Sequence, residues 1–234
     1  MEDIDAIAVL QDPVRRRLYE YVAAQGREVG RNEAAEAAGV TRTLAAHHLD
    51  RLTEAGLLES GSRRLTGRSG PGAGRPAKVY TRARVERSVS LPARDYRTAA
   101  ELLAEAAELA GLDAGLCAAA RRRGEALRGT AAPCGGLEEA MAALAARGYE
   151  PHLEPHPEGS EGEPAGDADA AGSVIRMRNC PFHAVAERFP PLVCGMNLAL
   201  LEGLLGADGP VRARMDARPG ECCVVVEASK NNVD

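Results

Sequence analysis

Residues 34–58 read AAEAAGVTRTLAAHHLDRLTEAGLL, and this stretch decides the fold of the N-terminal region. Gly39 supplies the positive φ that a tight turn between two helices needs. Val40 can plug the apolar centre beside that turn, and Thr41 can cap the helix that follows. From Thr41 to Ala55, Ala45, Leu49 and Leu52 recur on one helical face. Thr41, Arg42, Thr43, Ala46 and His47 stand on the opposite, N-terminal face. A short helix over Asn32–Ala38, a glycine turn and a second helix with polar first turns form the helix-turn-helix layout. In that layout the second helix lies in the major groove and its first turns meet base edges.

The flanks extend the pattern. Asp12 is a good N-cap, and Pro13 suits the first helical position, where its missing N–H costs nothing. Val14, Leu18, Tyr21 and Val22 continue at helical spacing to Gln25, and Gly26 ends the element. Downstream, Gly56 closes the second helix of the motif. Leu57–Glu59 reads as a strand and Lys78–Thr81 as its partner. The intervening GSRRLTGRSGPGAGRP (61–76) reads as a flexible basic loop, so the pair forms a wing. Arginines on such a loop can enter a minor groove or pair with phosphates. The candidate contacts are therefore Thr41, Arg42, Thr43, Ala46 and His47 on the helix, with Arg63, Arg64, Arg68, Arg75 and Lys78 on the wing. His48 suits either a DNA contact or a half-buried position in the core.

Charge supports this assignment despite a net charge of −5 for the whole chain. Residues 1–88 carry 15 Lys/Arg against 12 Asp/Glu, whereas the remainder carries 14 against 22. Residues 60–87 alone hold eight bases and one acid. A basic stretch on an acidic protein is an electrostatic footprint for phosphate. The 34–58 stretch followed by GRPAKVY (74–80) resembles the winged helix of ArsR/DeoR-type bacterial regulators. That resemblance implies a double-stranded DNA operator as partner.

Composition bounds the remaining possibilities. Apolar residues make up 45% of the 234, but only seven are aromatic, so the core is expected to consist of Leu, Val and Ala, largely on helices. The longest uncharged apolar run, near Phe189–Leu201, contains two prolines and is too short to span a bilayer. The N-terminal MEDIDAIAVLQDP has acids where a secretory signal needs bases. A cytoplasmic location is expected, where six cysteines suit metal or redox chemistry better than structural disulfides. No nucleophile with a paired base and no phosphate-cradling glycine motif is found, so an enzyme is not expected. The carboxylate pair Asp167 and Asp169 falls in an acidic Gly/Ala-rich segment, 156–172, that reads as a disordered loop.

The middle of the chain is helical. Asp95–Ala110 is amphipathic, with Leu102, Leu103 and Leu109 available for one stripe, and a second helix follows over Leu112–Leu127. Such helices commonly pair subunits, and a homodimer presents two reading helices to an inverted repeat. Beyond them, Gly136–Arg147 reads as a helix. Tyr149–Glu154 and Ser173–Arg178 read as strands, Pro191–Leu205 as a helix, and Val211–Met215 and Cys222–Ala228 as two more strands. The expected architecture is α+β and mostly helical. It comprises a winged helix-turn-helix over 1–88, dimerisation helices over 89–130 and a small α+β sensor domain over 131–234.

Cys180, Cys194, Cys222 and Cys223 fall in that last region. Cys180, Cys194 and Cys222 lie at the edges of three different elements and could meet at one point, although no CxxC pair is present. The runs NCPFHAVAERFPPLVCGMNLALLEGLLG (179–206) and RPGECCVVVEA (218–228) resemble the C-terminal region of SufR-like regulators. These are winged-helix repressors that bind an iron–sulfur cluster. The resemblance implies a [4Fe-4S] cofactor held by Cys180, Cys194 and Cys222. Soft thiolates suit such clusters. For the fourth position His183 is favoured. Cys223 is disfavoured if 222–228 is a strand, because adjacent strand residues point to opposite faces. Cys117 and Cys134 remain further options. Zinc bound by the same residues is the alternative.

Overall fold

The computed structural model describes residues 2–63, 76–155 and 173–229. The chain divides into two compact units, Met1–Arg94 and Asp95–Asp234. The helices of 95–130 belong to the second unit.

The first unit runs α1 (Glu2–Ala8), a 3-10 turn (Val9–Gln11), α2 (Pro13–Gln25), β1 (Val29–Gly30), α3 (Arg31–Ala38), α4 (Arg42–Glu54), β2 (Leu58–Arg63) and β3 (Ala77–Arg82). Asp12 caps α2 by accepting from the amides of Val14 and Arg15, both at 2.9 Å. Gly26 and Gly39 end α2 and α3 at φ 63° and 65°, as the sequence requires of them. Leu18, Val22, Leu49, Leu52 and Leu58 close the core beneath the three helices. The sheet order is β1-β3-β2, all antiparallel, with Leu58 opposite Arg82 and Arg63 opposite Ala77. Two features depart from expectation. Strand β2 runs four residues past Glu59, because each residue to Arg63 finds a ladder partner on β3. The two-residue β1 is too short to leave a periodicity. It exists because Val29 is fully buried and pairs with Tyr80.

The second unit contains α5 (Tyr96–Leu109), α6 (Asp113–Arg128), α7 (Leu137–Ala145), β4 (Pro151–Pro155), β5 (Ser173–Met177), α8 (His183–Ala186), α9 (Pro190–Leu205), β6 (Val211–Met215) and β7 (Val224–Ala228). The antiparallel sheet has the order β4-β5-β7-β6. Alternation along β5 and β7 sends Ile175, Met177, Val224 and Val226 into a core with Leu144, Leu201 and Leu205. Arg176 and Glu227 occupy the other register. Arg176 is 1% exposed and balanced by Asp216, Glu154 and Glu221. Helices α6 and α9 cross with their backbones nearly touching. A Cβ on Gly203 would stand 2.2 Å from the Arg121 carbonyl oxygen, and one on Gly124 would stand 2.1 Å from that of Leu200. Only glycine admits that approach. The fold is α+β and mostly helical, with the winged motif N-terminal, as the periodicities imply.

Candidate DNA-reading face and thiol centre

Thr41 caps α4, its Oγ1 accepting from the Leu44 amide at 3.3 Å. The exposed side of the first turns carries Thr41, Arg42, Thr43 and His47, with Ala46 half-buried between them. His48 lies on the inner face and is only 9% exposed, with Nδ1 lacking a hydrogen-bond partner. It takes the second of the two positions its spacing allows, a place in the core, and burial lowers its pKa below the usual histidine range.

The wing cations divide. Arg63 is exposed and pairs with Glu28 at 3.1 Å. Lys78 is turned inward: its ammonium donates to Asp50 Oδ1 at 2.8 Å and lies over the Tyr80 ring at 5.4 Å. Asp50 also accepts from Tyr80 Oη at 2.7 Å, and its other oxygen faces Arg31 at 3.2 Å. Lys78 therefore ties the wing to α4, while its side chain, 36% exposed, also lines the cleft between α3 and the wing and leaves the expected phosphate contact open. Arg64, Arg68 and Arg75 lie outside the described residues, as does the 156–172 segment with Asp167 and Asp169. A cleft of about 1220 Å³ opens between the start of α3 and the wing. Arg27, Arg31, Arg42, Arg63 and Lys78 line it against two acids, Glu28 and Glu33. Arg27 and Arg31 went unnoticed in the sequence because they sit outside both the reading helix and the basic run.

This geometry can be set beside known proteins. Residues 10–61 match the family model of a helix-turn-helix domain. The match spans α2 through most of β2 and supports a DNA-binding transcription regulator. No curated protein and no solved structure matches the chain. Among the described residues no helix is long and apolar enough to cross a membrane.

In the second unit four thiols gather. Cys180 follows β5, Cys194 is in the first turns of α9, and Cys222 and Cys223 precede β7. The Cys180 side chain interacts with that of Cys222, Cys222 with Cys223, and Cys223 with Cys194. The sequence-based objection to Cys223 rested on a strand beginning at Cys222. The strand begins instead at Val224, so Cys222 and Cys223 stand before it, with a bend at Cys223, and strand alternation does not govern them. The tie is backbone-made: the Cys222 amide donates to Met177 at 2.9 Å, and the Cys223 carbonyl accepts from Asp216 at 2.8 Å.

The electrostatics are unequal. Hydrogen bonds from Cys180 and Cys223 hold the Cys222 thiol well below the usual thiol range, against its burial. The Cys180 and Cys223 thiols are pushed up, first by that same bonding to Cys222 and then by burial. His183 is not brought in: its Nε2 pairs with Glu187 at 3.2 Å and its side chain is 66% exposed. Cys134 is a core residue whose thiol burial pushes up. Cys117 lies on α6 beside Gly195.

An all-sulfur donor set fits a soft metal group. A single zinc ion at about 2.3 Å holds its thiolates roughly 3.8 Å apart. Among the described residues, the set of three ligand atoms mutually within 4.8 Å is His152, Glu154 and Glu221. Among the described residues no three of the four sulfurs lie mutually within that distance. The His152 set is already neutralised by Arg176 and Arg218 on Glu154.

Proposed function

We propose that this protein is a transcriptional repressor whose operator binding depends on a [4Fe-4S] cluster held by Cys180, Cys194, Cys222 and Cys223. The observation that carries the reading is the convergence of four thiols from three elements, with Cys222 fully buried among them. The SufR-like motifs imply the identity of the group, and sulfurs of which no three lie mutually within 4.8 Å among the described residues suit a polynuclear centre better than a single zinc ion. When bound, the cluster supplies an oxidant- and nitric-oxide-sensitive cross-link between β5, α9 and the segment before β7.

The chain's own residues do the rest. Thr41, Arg42, Thr43 and His47 read the operator, and Arg63 contributes phosphate contact from the wing. Tyr96, Leu102, Leu103 and Leu109 of α5 are exposed by 61% or more. An apolar stripe of that kind marks a partner surface. A second copy of the chain fits it, because paired reading helices match an inverted repeat. Ordering of the thiol-bearing segments then sets the separation of the two reading helices. The coupling must reach about 1–3 kcal/mol to matter.

Anaerobic purification followed by a visible spectrum and iron and sulfide analysis tests the reading. Brown protein holding about four irons per chain whose operator affinity falls on cluster removal is the expected result. Cys194→Ser should lose both colour and cluster-dependent binding. Colourless protein with stoichiometric zinc would establish the zinc alternative instead.

A further inference from the structure

Helix α9 is apolar from Pro190 to Leu205 except at Asn197 and Glu202. Glu202 pairs with Arg121 at the surface. Asn197 is fully buried. A buried amide left without partners costs about 1–3 kcal/mol, so what its two ends meet explains its presence in this helix.

Its Oδ1 accepts from Tyr149 Oη at 2.5 Å, and its Nδ2 donates to Cys222 Sγ at 3.4 Å. Tyr149 is itself buried, and burial drives its phenol above the usual tyrosine range, so it carries its proton. The acceptor facing that proton is Asn197 Oδ1. Turning the amide over would leave the phenol proton without an acceptor in a dry site and would bring Oδ1 against the sulfur. The direction of both bonds is thereby set by tyrosine. Cys222 faces an amide donor and can meet it only as an acceptor.

We infer that Tyr149 and Asn197 are positioning residues that orient Cys222 as the anchoring thiolate of the metal centre. The metal-bound consequence rests on the cluster reading above, whereas the directed hydrogen-bond pair is a property of the chain itself. Donors to a cluster thiolate raise its reduction potential and slow its loss. Asn197 does this from a helix, where packing allows it little freedom.

The test compares full-length wild type with Asn197→Leu and Tyr149→Phe, each checked for folding by circular dichroism. Asn197→Leu should load iron and sulfide but release iron to a chelator about tenfold faster, with a lower reduction potential. Tyr149→Phe should shift both in the same direction by less, because the amide donor remains but is no longer held. Wild-type release rate and potential in the folded variants would overturn the inference. If Asn197→Leu does not fold, Tyr149→Phe decides alone, since it removes one hydroxyl. If wild type takes up no iron and sulfide, the cluster reading falls by itself. The metal-free chain then decides the pair: the Asn197 side-chain amide protons should be protected from solvent exchange, and both Cys222→Ala and Tyr149→Phe should release them. Unchanged exchange in both variants would overturn the inference.

Discussion

Around Leu18, Val22, Leu49, Leu52 and Tyr80 the N-terminal core is built of apolar side chains, and the groups suited to DNA stand outside it on α4 and the wing. The C-terminal core adds polar and thiol groups to its apolar residues. Cys222 and Cys134 belong to it, Asn197 and Tyr149 are buried beside the thiols, and Arg176 is enclosed at 1% exposure. A reader of an external polymer can keep recognition separate from stability. A unit that encloses a reactive centre must build the centre from the same residues that fold it. Substitutions should therefore separate function from stability in the first unit and join them in the second.

The largest test of that contrast is Leu49→Ala, which empties a fully buried site. It should cost the N-terminal unit about 3–4 kcal/mol, read by chemical denaturation, while the iron and sulfide content of the C-terminal unit stays at the wild-type level. Gly203→Ala should cost the C-terminal unit about 2–3 kcal/mol, because backbone on both sides of the α6–α9 crossing must give way. It should also lower metal content. A Gly203→Ala protein with wild-type stability and metal would break the claim that folding and centre are joined there.

Arg42→Ala sharpens the other half. Operator affinity should fall by about 1–2 kcal/mol and the salt dependence should flatten. The melting temperature should hardly move, since exposed substitutions usually stay within about 0.5 kcal/mol. A large loss of stability would show that the reading face is not separable after all. The smallest effect is acid sensitivity. Burial lowers the His48 pKa, so the unfolded chain binds its proton first. The stability gained from neutral His48 is complete above about pH 6.5 and declines as pH falls through its lowered folded value. His48→Gln should flatten that decline in acid denaturation curves of the N-terminal unit.

Legibility in the sequence followed the range of the forces involved. The caps at Asp12 and Thr41, the turn at Gly39 and the 3.6-residue spacing of Ala45, Leu49 and Leu52 act within a few residues, and all appear where expected. The strands of the second unit and α9 are also legible, with ends shifted by up to two residues. The inward turn of Lys78 was not, because it depends on Asp50, which lies 28 positions away on another element. His48 shows the same limit: spacing alone left it on the boundary between two faces.

The sequence by itself determined that this chain carries a helix-turn-helix with a basic wing, and that four cysteines fall in a separate α+β region. Those facts depend on local periodicity, caps and composition. Tertiary structure decided which thiols meet. Cys223 joins Cys222 because the strand starts two residues later than alternation suggests, at Val224, and His183 turns away to Glu187. It also decided that Tyr149 donates to Asn197 and Asn197 to Cys222, since those partners are 48 and 25 residues from Asn197 and meet it only when α9 packs on the sheet.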